Sequence, residues 1–357
     1  MSDPVVEVPL LTGELPGCGG TLKASPEDFE VEELPAYMPS GEGEHLFLWV
    51  EKVGRNTRDV ARELARALGI DEREVGFAGL KDKRARTRQF FSVPRARVAP
   101  SAQLAGEGWK VLSAAAHTNK LKTGHLRGNR FRIRLLETGP EALARAQAIA
   151  AALEQRGLPN AFGPQRFGRE GANPTHGHDL VLRAKTRETD RARRDRFLRR
   201  LYVSAYQALL FNRVLAERIR DGLFGQAIDG DLMKKTETGG LFHSHEPEVD
   251  GPRVGRFEIS PTGPIFGHRM MQAEGEALRR EQRVLEAQGL SLESFAWLKG
   301  DAEGSRRALR LPIRVEVTEI PAGLELCFAL PKGSFATTVL REVMKAEASV
   351  PGELDEG

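Results

Sequence analysis

Asp82 carries the strongest chemical signal in this chain. It lies in the run Gly76-Phe77-Ala78-Gly79-Leu80-Lys81-Asp82-Lys83-Arg84-Ala85-Arg86-Thr87-Arg88-Gln89-Phe90-Phe91. From residue 81 to residue 97 there are seven Lys or Arg and only this one acid. Neighbouring cations favour the charged form of a carboxylate, so Asp82 is expected to stay ionised. An ionised carboxylate in a basic groove suits a nucleophile or a general base acting on a polyanion. A bare charge run more often marks a solvated turn, so the elements and motifs around it have to decide.

Residues 45–53 read as a buried strand. Thr57 reads as a helix N-cap, Val60, Leu64 and Leu68 recur at helical spacing, and Gly69 is the stop. Residues 75–78 read as a short strand, which puts Asp82 on the loop leaving its end, a common place for chemistry. Residues 88–93 read as the next strand. Phe131-Arg132-Ile133-Arg134-Leu135 alternates apolar and basic, the pattern of a half-buried strand with a cationic face. An alanine-rich helix is expected over 141–156, ended by Gly157. Long polar helices are expected near 191–220 and 272–288, with a glycine-rich, histidine-containing stretch between them. Strands return at 313–317 and 324–328, and a helix closes the pattern over about 334–345. Mixed strand and helix at both ends, with a different middle, predicts an α+β domain interrupted by an insertion. The boundaries expected are 1–158 and 309–357 for the interrupted domain and 159–308 for the insert.

Charge is more informative by position than by sum. The 357 residues carry a net +3. Residues 81–97, 117–134 and 183–200 hold 22 of the 53 Lys and Arg. Clusters of this kind fit contact with a phosphate backbone. There is no apolar run long enough for a membrane span, and the acidic start Met1-Ser2-Asp3-Pro4 is unlike a secretory signal. Cys18 and Cys327 read as free thiols of a reducing cytosol. A cytoplasmic protein is expected, and nothing in the pattern demands more than a monomer.

Five blocks, in order, give the chain a family resemblance. They are Leu22-Lys23-Ala24-Ser25-Pro26-Glu27-Asp28-Phe29, the Asp82 block Phe77-Ala78-Gly79-Leu80-Lys81-Asp82-Lys83, Leu126-Arg127-Gly128-Asn129-Arg130-Phe131, Pro159 to Gly168, and Leu330 to Glu342. In these blocks the chain resembles the TruD family of tRNA pseudouridine synthases. The resemblance implies a pseudouridine-synthase catalytic domain, a mixed or antiparallel sheet with flanking helices, interrupted by an inserted α+β TRUD domain. It implies Asp82 as the catalytic aspartate, tRNA as the partner, uridine 13 of the D-arm as the target, and no cofactor or metal. It also implies aromatic substrate contacts at Phe29 and Phe335.

The remaining site residues follow from what such a reaction needs. A target base must leave its stack and be held, usually by ring stacking, which makes Phe131 a third aromatic candidate. Without the resemblance all three rings would read as core. Asn129 can donate and accept at once, as a uracil edge requires. Lys81 and Lys83 are expected to keep Asp82 ionised and to touch phosphate, with Lys23 and Arg341 as further basic candidates. Gln165, Arg166 and Phe167 mark the entry to the insert, where Ala161 stands in place of the aromatic residue often found in the family. Whether Asp82 attacks C1′, attacks the base or removes a ribose proton stays open.

Other readings fare worse. His176-Gly177-His178 and His243-Ser244-His245 lack the further ligands a zinc site needs. There is no Walker loop and no well-placed Gly-x-Gly-x-x-Gly, which disfavours nucleotide binding and a Rossmann methyltransferase. A non-catalytic RNA-binding or chaperone protein, or a synthase acting on other RNAs, remains as the alternative.

Overall fold

Period-two alternation in the first part of the chain is realised as sheet. A computed structural model describes residues 7–22, 25–98 and 104–345. In chain order these give β1 (Phe29–Pro35), β2 (His45–Val53), α1 (Thr57–Leu68), β3 (Gly76–Phe77), β4 (Arg86–Pro94), β5 (Ala105–Gly106), β6 (Trp109–His117), β7 (Leu126–Leu136) and α2 (Ala142–Arg156). There follow β8 (Leu158–Pro159), α3 (Ala172–Val181), α4 (Arg187–Arg194), α5 (Arg196–Arg220), β9 (Leu232–Lys235), β10 (Leu241–His243), α6 (Pro247–Gly255), β11 (Ile259–Ile265), α7 (Gly275–Glu286), β12 (Ser305–Ala308) and β13 (Arg310–Leu311). The chain then adds β14 (Val315–Ile320), β15 (Gly323–Pro331) and α8 (Ala336–Met344). Strand and helix are mixed throughout, so the fold is α+β.

Two compact units emerge. Among the described residues, one is built from 15–151 and 314–345, the other from 7–14 and 152–313. The first holds a nine-stranded sheet in the order β14-β15-β7-β1-β4-β2-β6-β5, with β3 attached to β4. Only β1 and β4 run parallel; the other pairings are antiparallel. The two last strands, β14 and β15, are recruited to the edge of β7 from the far end of the chain. Leu48 and Val50 of β2 and Phe91 and Val93 of β4 pack with Val60, Ala61, Leu64 and Ala65 of α1. Helix α1 forms because its apolar residues share one face, and Gly69 ends it in the left-handed region at φ 62°.

Two expectations about helices need correction. Asn56, not Thr57, is the N-cap residue of α1: Asn56 has the extended backbone that precedes the helix, Thr57 is already helical, and its hydroxyl is engaged elsewhere. The long helix expected near 191–220 is two helices broken at Asp195, whose extended backbone ends α4 and whose carboxylate accepts from Leu198 N at 3.1 Å to start α5.

The second unit has a four-stranded sheet, β10-β9-β11-β12, and the two-stranded pair β13-β8. An apolar cluster joins α3 and α5 through Leu180, Val181, Tyr202, Val203, Tyr206 and Leu210 to Phe266, Val284, Leu285 and Phe295. No helix among the described residues is long and apolar enough to cross a membrane.

Candidate active site

The loop that carries Asp82 is held by side chains donated from three other elements. It leaves β3, whose Gly76 pairs with Ser92 and whose Phe77 pairs with Phe91. A Cβ at Gly76 would lie 2.3 Å from the Leu121 carbonyl oxygen, so only glycine lets the loop start this close to the next segment. Gly124 N donates to Ala78 O at 2.7 Å, and Gln89 Nε2 donates to Gly79 O at 2.9 Å. The Thr57 hydroxyl accepts from Lys81 N at 2.9 Å and donates to Gln89 Oε1 at 2.9 Å. Lys52 is fully buried, and its ammonium donates to Arg55 O at 2.8 Å, Lys81 O at 3.1 Å and Asp82 O at 2.8 Å.

The carboxylate itself is half satisfied. Oδ1 accepts from Arg84 N at 2.7 Å, closing a small turn two residues long. Oδ2 is buried and has no hydrogen-bond partner. Asp82 is 8% exposed, and burial pushes its pKa up to about 6, against the lowering effects of the Arg84 amide, Lys52 and Arg84. This corrects the expectation of a permanently ionised group. The cations of the run do not outweigh the loss of water, because Lys81, the residue before Asp82, is committed elsewhere and Lys83 and Arg84 are exposed. Lys81 is buried and pairs with Glu33 at 3.2 Å, not with Asp82 or solvent. Lys83 is exposed.

Glu33 links the loop to the sheet. Its other oxygen accepts from Phe90 N at 3.4 Å, and on β7 its register partner is Asn129. Directly opposed residues in such a pair have Cβ atoms about 4.5–5.5 Å apart. Asn129 Oδ1 is also buried and without a partner. The structure thus brings Asp82, Lys81, Glu33 and Asn129 into one chain of neighbours, with an orphaned acceptor at each end. Buried acceptors are normally paired, so a pair of orphans is what a site waiting for a donor would show.

Phe131 lies two positions from Asn129 and Phe29 four from Glu33 on the same strand faces. Both rings are buried: they meet edge to face at 6.2 Å, and Phe131 stacks on Phe328 at 5.3 Å. Phe335 is half-buried at the start of α8. Lys23 lies outside the described residues. Arg341 is half-buried on α8.

The basic windows look different in space. Arg86, Arg88, Arg130, Arg132 and Arg134 share the open face of the sheet with Glu30, Glu32, Glu51 and Glu325. They pair as Arg88 with Glu51 at 2.9 Å, Arg86 with Glu30 at 3.6 Å, Arg130 with Glu32 at 3.5 Å, and Arg132 and Arg134 with Glu325 at 3.7 and 3.2 Å. Strand pairing interleaves acids that are remote in sequence, so this face is a neutralised ladder rather than a cationic one. In the second unit Asp301 gathers Arg196, Arg199 and Arg200. Beside them, Arg187, Arg191 and Arg194 are exposed, and Phe197 is 76% exposed. His243 and His245 share Glu274 at 3.6 and 3.7 Å. No group of three or more His, Cys, Asp or Glu placed to hold a metal occurs among the described residues.

Sequence reading missed Lys52, Glu33 and the double role of Thr57. Their signal was parity: Lys52 continues the inward set Leu48-Val50, and Glu33 continues Phe29-Val31. A charge on the apolar parity of a strand has to be satisfied in the interior.

Fold and site together present a desolvated carboxylate on a tethered loop of a mixed sheet. The family model "tRNA pseudouridine synthase D (TruD)" matches residues 5–189 and 180–343. A tRNA pseudouridine synthase D from Anaeromyxobacter sp. (strain Fw109-5) is 58% identical over 99% of this chain and 100% of its own length. One from Thermus thermophilus is 47% identical over 95% and 93%. A crystal structure from Methanosarcina mazei, described as tRNA pseudouridine synthase D (TruD), superposes with a TM-score of 0.75 at 27% identity, covering 96% of this chain and 99% of that one. The chain belongs to the tRNA pseudouridine synthase D (TruD) family, a family of isomerases.

Proposed function

We propose that this protein converts uridine to pseudouridine in tRNA, at position 13 of the D-arm, with Asp82 as the catalytic carboxylate. The observation that carries the reading is the unpartnered, buried Oδ2 of Asp82 on a loop fixed by Lys52, Thr57 and Gln89. With a pKa of about 6 the group is mostly ionised above neutrality, yet poorly solvated, which makes it more reactive than a carboxylate in water.

In the reaction the N1–C1′ bond of the nucleotide breaks, the uracil turns, and a C5–C1′ bond forms. The proton at C5 is released and N1 gains one, so the change is an isomerisation with no net redox. A flipped uridine brings N–H donors and carbonyl acceptors. Asn129 is suited to its edge, with Oδ1 accepting and Nδ2 donating. Phe335, half-buried at the start of α8, is the most accessible of the three rings to confine the base; Phe29 and Phe131, proposed with it, are packed against each other and Phe328 and can add only a ring edge, and Lys81 holds Glu33 beside Asn129. Lys83, exposed on the Asp82 loop, and Lys23 are the candidates for phosphate contact. In the second unit the exposed arginines Arg187, Arg191 and Arg194 with Phe197 suit the sugar-phosphate backbone and an unstacked base. RNA affinity is expected to fall steeply with salt.

The test is tritium release from tRNA transcripts labelled at uridine C5, followed by mapping of the modified position. Release by the wild type and none by Asp82→Asn, with RNA binding retained, is the expected result. Release that survives in Asp82→Asn would remove Asp82 from the chemistry. A folded, RNA-binding wild type that releases nothing would favour the chaperone reading.

A further inference from the structure

We propose that Lys52 is the positioning residue of this site: its buried ammonium fixes the backbone of the Asp82 loop and supplies the positive charge that keeps the Asp82 carboxylate ionised. This rests on the reading of Asp82 as the catalytic group.

Lys52 is the penultimate residue of β2, on the inward face of the sheet, and is fully buried. Its three acceptors are carbonyl oxygens, at Arg55, Lys81 and Asp82. An ammonium has three donors and no acceptor, so the geometry uses each of them. A neutral amine would turn a lone pair toward a carbonyl oxygen and leave one acceptor unmet. The arrangement therefore selects the charged form, although burial pulls the group down to about 7. Two of the three carbonyls belong to Asp82 and to the residue before it, so the same ammonium sets where the carboxylate is and how much positive charge it feels.

The other charged groups around the loop are occupied or exposed. Lys81 pairs with Glu33, a buried neighbour on β1. Arg55 is engaged by Glu63 of α1. Arg84 and Lys83 point to solvent, and Arg84 reaches Asp82 Oδ1 through its backbone amide. Arg88 of β4 pairs with Glu51 of β2 on the opposite face. Among the described residues Lys52 is the buried cation whose field acts on Asp82, with exposed Arg84 adding to it, and the Lys52–Asp82 coupling is felt by both groups.

The experiment compares single-turnover rates of the wild type, Lys52→Met, Thr57→Val and Asp82→Asn between pH 5 and pH 9, using a tRNA transcript tritiated at uridine C5. Loss of the ammonium should move the acid limb of the rate profile upward by about one unit or more. At pH 6 a rise of one unit would put the variant roughly five- to sixfold further below its own plateau than the wild type is. RNA affinity should stay within about twofold, because backbone contacts supply most of it. Thr57→Val removes another tether of the same loop and no charge, so it should lower the rate without moving the limb. If Lys52→Met does not fold, Lys52→Arg and Lys52→Gln replace it: the cation should keep the limb near the wild-type position and the amide should raise it. An acid limb in Lys52→Met or Lys52→Gln that coincides with the wild type overturns the proposal, whatever happens to the plateau. Wild-type turnover by Asp82→Asn would instead overturn the catalytic reading beneath it.

Discussion

Replacing Asp82 by asparagine should stabilise the protein above pH 6 and leave it nearly unchanged near pH 4. The carboxylate is raised from 3.8 to about 6 in the folded state. The native protein therefore keeps a proton through a range in which the unfolded chain has released it. By linkage the contribution is most favourable below the unfolded value, declines as pH rises from about 4 to about 6, and is then constant. Two units correspond to about 3 kcal/mol. Asparagine keeps an oxygen for the Arg84 amide and has no charge to desolvate. It also removes the anion that supports the Lys52 ammonium, which returns part of the gain. The net expectation is about 1–2 kcal/mol at pH 8, or roughly 2–8 °C in Tm for a unit of this size. Thermal unfolding of both proteins at pH 4 and pH 8, followed through the fluorescence of Trp49 and Trp109 in the same unit, measures it. An unchanged Tm at pH 8, or an equal shift at both pH values, would refute the argument, because only a group that pays a desolvation penalty when ionised gives a pH-dependent gain.

Lys81→Met should strand the buried Glu33 carboxylate and lower stability by about 3–5 kcal/mol in denaturant unfolding; adding Glu33→Gln should recover most of that loss. Gly128→Ala would place a Cβ 2.0 Å from Leu330 O, across the β7–β15 pairing. Its expected cost is about 1–3 kcal/mol, visible as faster amide exchange in β15. Asn129→Ala should slow single-turnover pseudouridine formation by about tenfold, the worth of one hydrogen bond, with little change in RNA affinity measured by filter binding.

Much of the first unit was legible because its patterns are periodic. The strand expected at 45–53 and the helix ending at Gly69 stand where the alternation and the 3.6-residue spacing put them. So does the loop position of Asp82, since a short strand before it and a longer one after it leave little else for those residues to be. What the sequence hides is the partner of each polar group. Thr57 has the look of a cap, yet its hydroxyl serves Lys81 and Gln89 from other segments. Lys81 looks like an escort for Asp82, yet Glu33, 48 positions away, claims it. The ionisation of Asp82 depends on water it has lost, and the alternating arginines of β7 depend on glutamates contributed by β1 and β15. Neither is written in local charge. The break at Asp195 was available in principle, as an aspartate able to cap the helix on its C-terminal side, but the arginine-rich helical pattern runs through it.

The place of β15 has a consequence for biosynthesis. Strand β7 carries Asn129, and its outer edge is covered only when β15 arrives from about 190 residues further along. At a ribosomal pace of 5–20 residues per second that edge stays open for roughly 10–40 s on the nascent chain. Open strand edges attract other strands. During that interval Arg132 and Arg134, whose partner Glu325 arrives with β15, act as a deterrent, since like charges repel a second nascent copy of the same segment. A cationic strand that is neutralised once the sheet is complete is thus also a guard against premature partners while the sheet is still being made.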